Sequence, residues 1–169
     1  HTVLGVRLAG HATNAKDLSR VRWRDWMMTI EDGLNLLKGV SDQQIVLGLS
    51  LGGALTLLAA AYYTISAFVT LSALCKLPND WRVSLLPLFK VVVPYAENFE
   101  PQTEEELKTE DHPFYGRVST RAASEVNELL KELWISMSSV REPALLLQAR
   151  HDAQIIPESM DLIYEHIAS

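Results

Sequence analysis

Apolar and polar positions alternate along this chain in two rhythms, one of strands and one of helices. Residues 2–8 are mostly β-branched or apolar and run into Gly10-His11-Ala12, which predicts a strand closed by a turn. Trp23, Trp26, Met27, Ile30, Leu34 and Leu37 then recur at three- and four-residue spacing. Arg24, Asp25, Glu31, Asp32 and Lys38 fall off that stripe and Gly39 follows it, so an amphipathic helix is predicted with both tryptophans in the core. A strand over 44–49, a helix over 51–61 and a strand over 65–71 follow with little between them. Such brevity sets the second strand beside the first through a right-handed crossover.

The texture changes at residue 75. Pro78, Pro87, Pro94, Pro101 and Pro113 punctuate residues 75–118, which also hold Glu104, Glu105, Glu106, Glu110 and Asp111. Consecutive carboxylates cannot all face one cation, so the cluster reads as a solvated face and the segment as an insertion over the sheet, a lid or binding element. Ala122, Val126, Leu129, Leu130 and Leu133 resume a helical stripe for which Ser119 is the expected cap. Pro143 introduces a short apolar strand over 144–149, Arg150-His151-Asp152 forms a loop, and Pro157 leads a last helix with Met160, Ile163, Tyr164 and Ile167 on one stripe. The alternation predicts an α/β fold with a mostly parallel sheet flanked by helices. Residues 1–74 and 119–169 are its two core halves and 75–118 a cap.

Composition narrows the class. The chain has 169 residues, 48% hydrophobic, enough for one domain with a real core. Net charge is -6 with scattered basic residues, against a nucleic-acid footprint. The single Cys75 has no internal partner, which suits the reducing cytoplasm. Residues 45–74 hold no charge, yet Gly48, Gly52 and Gly53 break the run and serines and threonines interrupt it. A core strand, turn, helix and strand, with the sheet covered on both faces, explains it better than a membrane span.

The chemistry concentrates at Gly48-Leu49-Ser50-Leu51-Gly52. G-x-S-x-G between a β-type run and an Ala/Leu helix is the pattern of a nucleophile elbow, a strand-to-helix turn tight enough to want glycine on both sides of the serine. Ser50 is the candidate nucleophile. A serine hydroxyl needs a histidine base and a carboxylate to orient it, in chain order Ser, acid, His. Asp152 lies just past the C-terminal end of a buried strand, where open α/β sheets assemble their sites. Such chemistry calls for neither metal nor organic cofactor.

Val6-Arg7-Leu8-Ala9-Gly10-His11, Trp23-Arg24-Asp25-Trp26, Gly48-Leu49-Ser50-Leu51-Gly52-Gly53 and Pro143-Ala144-Leu145-Leu146-Leu147-Gln148 leading to Asp152 and Pro157 together give a resemblance. The chain resembles the α/β-hydrolase carboxylesterases, in particular the bacterial monoacylglycerol lipase and thermostable carboxylesterase group. The resemblance implies that Ser50 attacks an ester carbonyl, Asp152 orients the base and the backbone N–H of Leu51 forms half of the oxyanion hole. It makes His11 part of a structural turn and residues 75–118 a cap, with Trp81, Leu85, Leu86, Leu88 and Phe89 facing an acyl channel. Ala149 stands where glycine is common.

Two family features fall outside residues 1–169. One is a strand upstream of Thr2, which in similar proteins lies in the sheet between the strands matching 2–8 and 44–49 and ends in a His-Gly motif that gives the second oxyanion N–H. The other is the catalytic histidine, roughly thirty residues past Asp152 in the Ser, acid, His order. His151 diverges from its neighbour Asp152, His166 reads as a surface residue, and His112 lies in the insertion. Residues 1–169 are therefore expected to be a fragment or incomplete sequence of a longer protein, or a piece completed by another polypeptide, and nearly inactive alone, since loss of a triad histidine costs on the order of 10⁶ in turnover. The substrate class implied is a small ester or monoacylglycerol. The alternatives are a non-catalytic relative binding an apolar ligand, and acyl transfer to an alcohol other than water.

Overall fold

The structure of the protein, a computed structural model, describes residues 2–77, 95–97, 117–152, 154–156 and 158–168. Its elements in chain order are α1 (Ala15–Leu18), α2 (Trp23–Lys38), β1 (Ile45–Leu49), α3 (Leu51–Tyr62), β2 (Ala67–Leu71), β3 (Tyr95–Glu97), β4 (Arg117–Ser119), α4 (Thr120–Ser136), β5 (Ala144–Leu147) and α5 (Glu158–His166), with a 3₁₀ turn at Met137–Ser139. Strands β1, β2 and β5 form a parallel three-stranded sheet in that order, and β3 pairs antiparallel with β4. Val46 lies beside Phe68, and Phe68 beside Ala144.

Alternation along the strands divides the sheet's side chains between two faces. Gly48 faces α3, whose backbone and Thr56 approach it closely, and Val46, Phe68, Thr70 and Leu146 share that face. Ala54, Leu55, Leu57, Leu58 and Ala59 of α3 have no exposed surface. A helix apolar on every side belongs inside a core. It lies between the sheet on one side and α2 and α4 on the other. These outer helices are amphipathic, and they send Trp26, Met27 and Leu34, and Leu129, Leu130 and Leu133, into the same cluster. Each such buried side chain stabilises by roughly 1.5–3 kcal/mol.

Polar links fix the layers. Gln44 Nε2 donates to the Leu34 carbonyl at 2.8 Å, tying the start of β1 to α2. Glu125 of α4 accepts from the Trp23 N–H at 3.1 Å, satisfying one of the N–H groups that the first turn of α2 leaves open. Trp134 Nε1 donates to the Cys75 carbonyl at 2.9 Å. Cys75 itself is buried, and burial pushes its thiol above its ordinary value.

Three expectations are corrected here. Residues 2–8 form no strand: β1 has no neighbour on its outer edge among the described residues, and the segment instead lies over α2, with Val6 and Leu4 against Gly33. The sheet is not covered on both faces by the described residues, since Ile45, Leu47, Leu49, Leu145 and Leu147 are 64, 63, 63, 52 and 45% exposed on the face away from α3. In α5 the inward residues are Ser159 and Ile163, whereas Tyr164 is 74% exposed. The cap residues Trp81, Leu85, Leu86, Leu88 and Phe89, the acidic cluster, and Pro157 lie outside the described residues.

Candidate active site

The C-terminal edge of the sheet carries the two predicted side chains, Ser50 after β1 and Asp152 after β5, with β2 between them. Ser50 occupies the N-cap position of α3 at φ 53° and ψ -117°, left-handed backbone that a residue with a Cβ adopts only at a cost. Its side chain makes no capping hydrogen bond to the helix. The backbone holds the turn instead. Ser50 N–H donates to the Leu71 carbonyl at 2.9 Å, and the Ser50 carbonyl accepts from Gly53, Ala54 and Leu74 at 2.9, 3.2 and 3.1 Å.

Close packing explains two of the glycines. A Cβ at Gly48 would sit 2.0 Å from the Gly52 carbonyl oxygen, and one at Gly53 would sit 2.6 Å from Ala73 Cβ. Gly52 is different: a Cβ there meets nothing within 4 Å. The expectation of a steric demand at both glycines of G-x-S-x-G therefore holds at Gly48 and fails at Gly52. Position 52 contributes its carbonyl to the contact with Gly48, and its own side-chain direction is open.

Asp152 is held by hydrogen bonds. One carboxylate oxygen accepts from the N–H groups of Gln154 and Ile155, each at 3.0 Å, and the other from Gln148 Nε2 at 3.2 Å. The Ile155 N–H, Ser72 and the Gln154 N–H, in that order, hold the carboxyl below the ordinary Asp value of 3.8, because each donor favours the anion. Ser72 is a residue that sequence reasoning did not single out. A serine at positive φ leaves no mark in a hydropathy pattern.

The histidines fall elsewhere. His11 Nδ1 lies 3.2 Å from the Ala9 carbonyl, which also accepts from Trp26 Nε1 at 3.1 Å, and the two rings meet edge to face at 5.7 Å. His166 Nδ1 lies 2.7 Å from the Leu162 carbonyl and its ring packs on Trp134 at 4.9 Å. Both contacts are structural. His151 is exposed beside Asp152, and His112 lies outside the described residues. A groove of about 360 Å³ between α2 and α4 is lined by Arg22, Arg24, Glu125, Glu128, Lys131 and Glu132 among others, and contains neither Ser50 nor Asp152.

A parallel sheet packed on a buried helix, with Ser50 and the loop of Asp152 on one edge, is the α/β-hydrolase arrangement. The chain belongs to the serine aminopeptidase S33 family of hydrolases, whose model matches residues 3–169. It is 26% identical over 174 residues to a thermostable monoacylglycerol lipase of Bacillus sp. (strain H-257), covering 100% of this chain and 66% of that protein. It is 25% identical over 171 residues to a carboxylesterase of Bacillus subtilis (strain 168), covering 99% and 67%. Among solved structures, one from work on LipS and LipT, two metagenome-derived lipolytic enzymes, matches with a TM-score of 0.84 at 23% identity, over 96% of this chain and 66% of that one. A monoacylglycerol lipase of Paleococcus ferrophilus matches at 0.72 and 18%, over 88% and 62%. The chain thus spans about two thirds of the length of these relatives. Among the described residues, no helix is long and apolar enough to cross a membrane.

Proposed function

We propose that the protein is a serine carboxylester hydrolase that acts on small esters, monoacylglycerols among them, through an acyl-enzyme on Ser50. The observation that carries this reading is the state of Ser50: left-handed backbone at the head of α3 with its side chain withheld from the helix cap. A serine placed only for stability would cap. The hydroxyl loses its proton to a histidine base, the third member of the order Ser, acid, His, and Oγ adds to the ester carbonyl. The Leu51 N–H, at the first position of α3 where the helix provides no acceptor, donates to the resulting oxyanion. Collapse of that intermediate expels the alcohol, protonated by the imidazolium. Water then repeats the sequence on the acyl-enzyme and frees the acid.

Asp152 remains ionised throughout, fixing the imidazole tautomer and stabilising its charged form. The donors that lower its pKa favour that state. Similarity to a monoacylglycerol lipase and a carboxylesterase supports the ester class. The test is active-site labelling of the full-length protein with a fluorophosphonate, mapped by mass spectrometry. An adduct on Ser50 that abolishes hydrolysis of p-nitrophenyl esters is expected; esterase activity persisting with Ser50 unmodified would overturn the reading.

A further inference from the structure

The two oxygens of the Asp152 carboxylate are held differently. Oδ1 accepts from the N–H groups of Gln154 and Ile155, donors that lie in the acid's own loop and move with it. Oδ2 accepts from Gln148 Nε2 at 3.2 Å, and the same nitrogen lies 3.5 Å from the Ile155 carbonyl oxygen. Both neighbours are acceptors, so the Gln148 amide must turn its nitrogen toward them. Gln148 is half-buried and directly follows Leu147, the last residue of β5. That strand end is tied to the turn that holds Ser50. The Leu147 carbonyl accepts at 2.8 Å from the N–H of Ser72, which stands at φ 43° just after β2. On either side of Ser72, the Leu71 carbonyl accepts from Ser50 N–H at 2.9 Å and Leu74 N–H donates to the Ser50 carbonyl at 3.1 Å.

We infer that Gln148 is a positioning residue: its amide nitrogen fastens Oδ2 of Asp152 to the end of β5 and so aims the oxygen that receives the imidazole N–H. This rests on the reading of Asp152 as the acid of the triad. Each oxygen of an ionised carboxylate accepts about two hydrogen bonds. Oδ1 has its two from the main chain, whereas Oδ2 keeps capacity beside Gln148. The main-chain pair orients the carboxylate only relative to its own loop. Gln148 reaches it from the strand end that is bonded, through the turn after β2, to the main chain of Ser50. Its amide therefore refers the acid to the same frame as the nucleophile, across about two strand spacings, ~10 Å.

The experiment uses the full-length protein and p-nitrophenyl butyrate. Gln148→Met keeps an unbranched side chain of similar length and removes the donor; Gln148→Glu keeps the shape and sets a second carboxylate against the first. We expect kcat to fall about tenfold in Gln148→Met, the loss suited to one hydrogen bond to a charged group, and further in Gln148→Glu, with KM unchanged in both. The Asp152 carboxyl, followed by carbon NMR with labelled aspartate, is expected to titrate at higher pH in each variant, because a lost donor and an added negative charge both disfavour the anion. In a double-variant cycle, Gln148→Met is expected to add nothing to Asp152→Ala. An unchanged kcat in Gln148→Met, an unmoved Asp152 titration, or the same fold loss on the Asp152→Ala background would each overturn the role of Gln148. Full activity in Asp152→Ala would instead remove the assignment of the acid, and the inference with it.

Discussion

Ser50 and Ser119 both stand at the N-cap of a long helix, and the chain uses them in opposite ways. Ser119, at φ -68° and ψ 124°, turns its hydroxyl to accept from the Ala122 N–H and is buried. Ser50, at φ 53°, is half-buried and caps nothing. Residue type and position are shared, so the difference lies in the backbone. Extended φ and ψ swing the Ser119 side chain over the first turn of α4; the left-handed value at Ser50 withholds its hydroxyl from the α3 cap. That conformation is held by hydrogen bonds to the main chain of Ser50 from β2 and the turn after it, together with the close approach of Gly48 to Gly52. Whether the serine caps its helix is here a backbone property before it is a side-chain one.

Substitutions can break this contrast at either serine. The largest effect is expected for Ser50→Ala in the full-length protein: a fall of roughly 10⁶ in ester turnover, with unfolding free energy changed by less than ~0.5 kcal/mol because no cap bond is lost. Next is Gly48→Ala, which drives a methyl into the Gly52 carbonyl and is expected to destabilise by about 3 kcal/mol in denaturant titration. Ser119→Ala is expected to cost about 1 kcal/mol of stability and leave kcat unchanged, the mirror image of Ser50→Ala. Gly52→Ala points into open space and gains helix propensity, so stability should hold or rise by up to ~0.5 kcal/mol; a loss comparable to that of Gly48→Ala would place position 52 in the steric contact after all.

The smallest effect is electrostatic. The folded pKa of Asp152 is depressed, so its contribution to stability is fully present above the unfolded value near 3.8 and is lost as pH falls through the lower folded value. Asp152→Asn should therefore flatten the stability profile in that acid window, seen as a smaller drop in Tm below pH 3.8 than the parent protein shows.

Most of the scaffold was legible from periodicity because its signals are local. Trp23 to Leu37 gave α2, the Ala/Leu run gave α3, and Ala122 to Leu133 gave α4 with its cap. What failed depends on partners. Residues 2–8 have strand-like composition, but a strand exists only beside another, and pairing is not written in one segment's alternation. Tyr164 shares a helical stripe with Ile163 and still faces solvent, because contact with the rest of the fold shifts the buried side of α5 to Ser159 and Ile163. At the candidate site, G-x-S-x-G pointed to a strand-to-helix turn at Ser50, which the structure has, and the end of an apolar strand pointed to the loop that holds Asp152. The positive φ of Ser72 left no trace in the residue pattern, because it is set by contacts with elements distant in sequence.

The side of the sheet that the described residues leave uncovered has a practical consequence. Ile45, Leu47, Leu49, Leu145 and Leu147 make an aliphatic plate, and β1 beside it offers a hydrogen-bonding rim with no occupant among the described residues. Such surfaces template stacking and edge-to-edge growth. Produced by themselves, residues 1–169 should precipitate or form large particles in a concentration-dependent way, and a charged residue in place of Leu47 should keep them in solution without disturbing the α3 side.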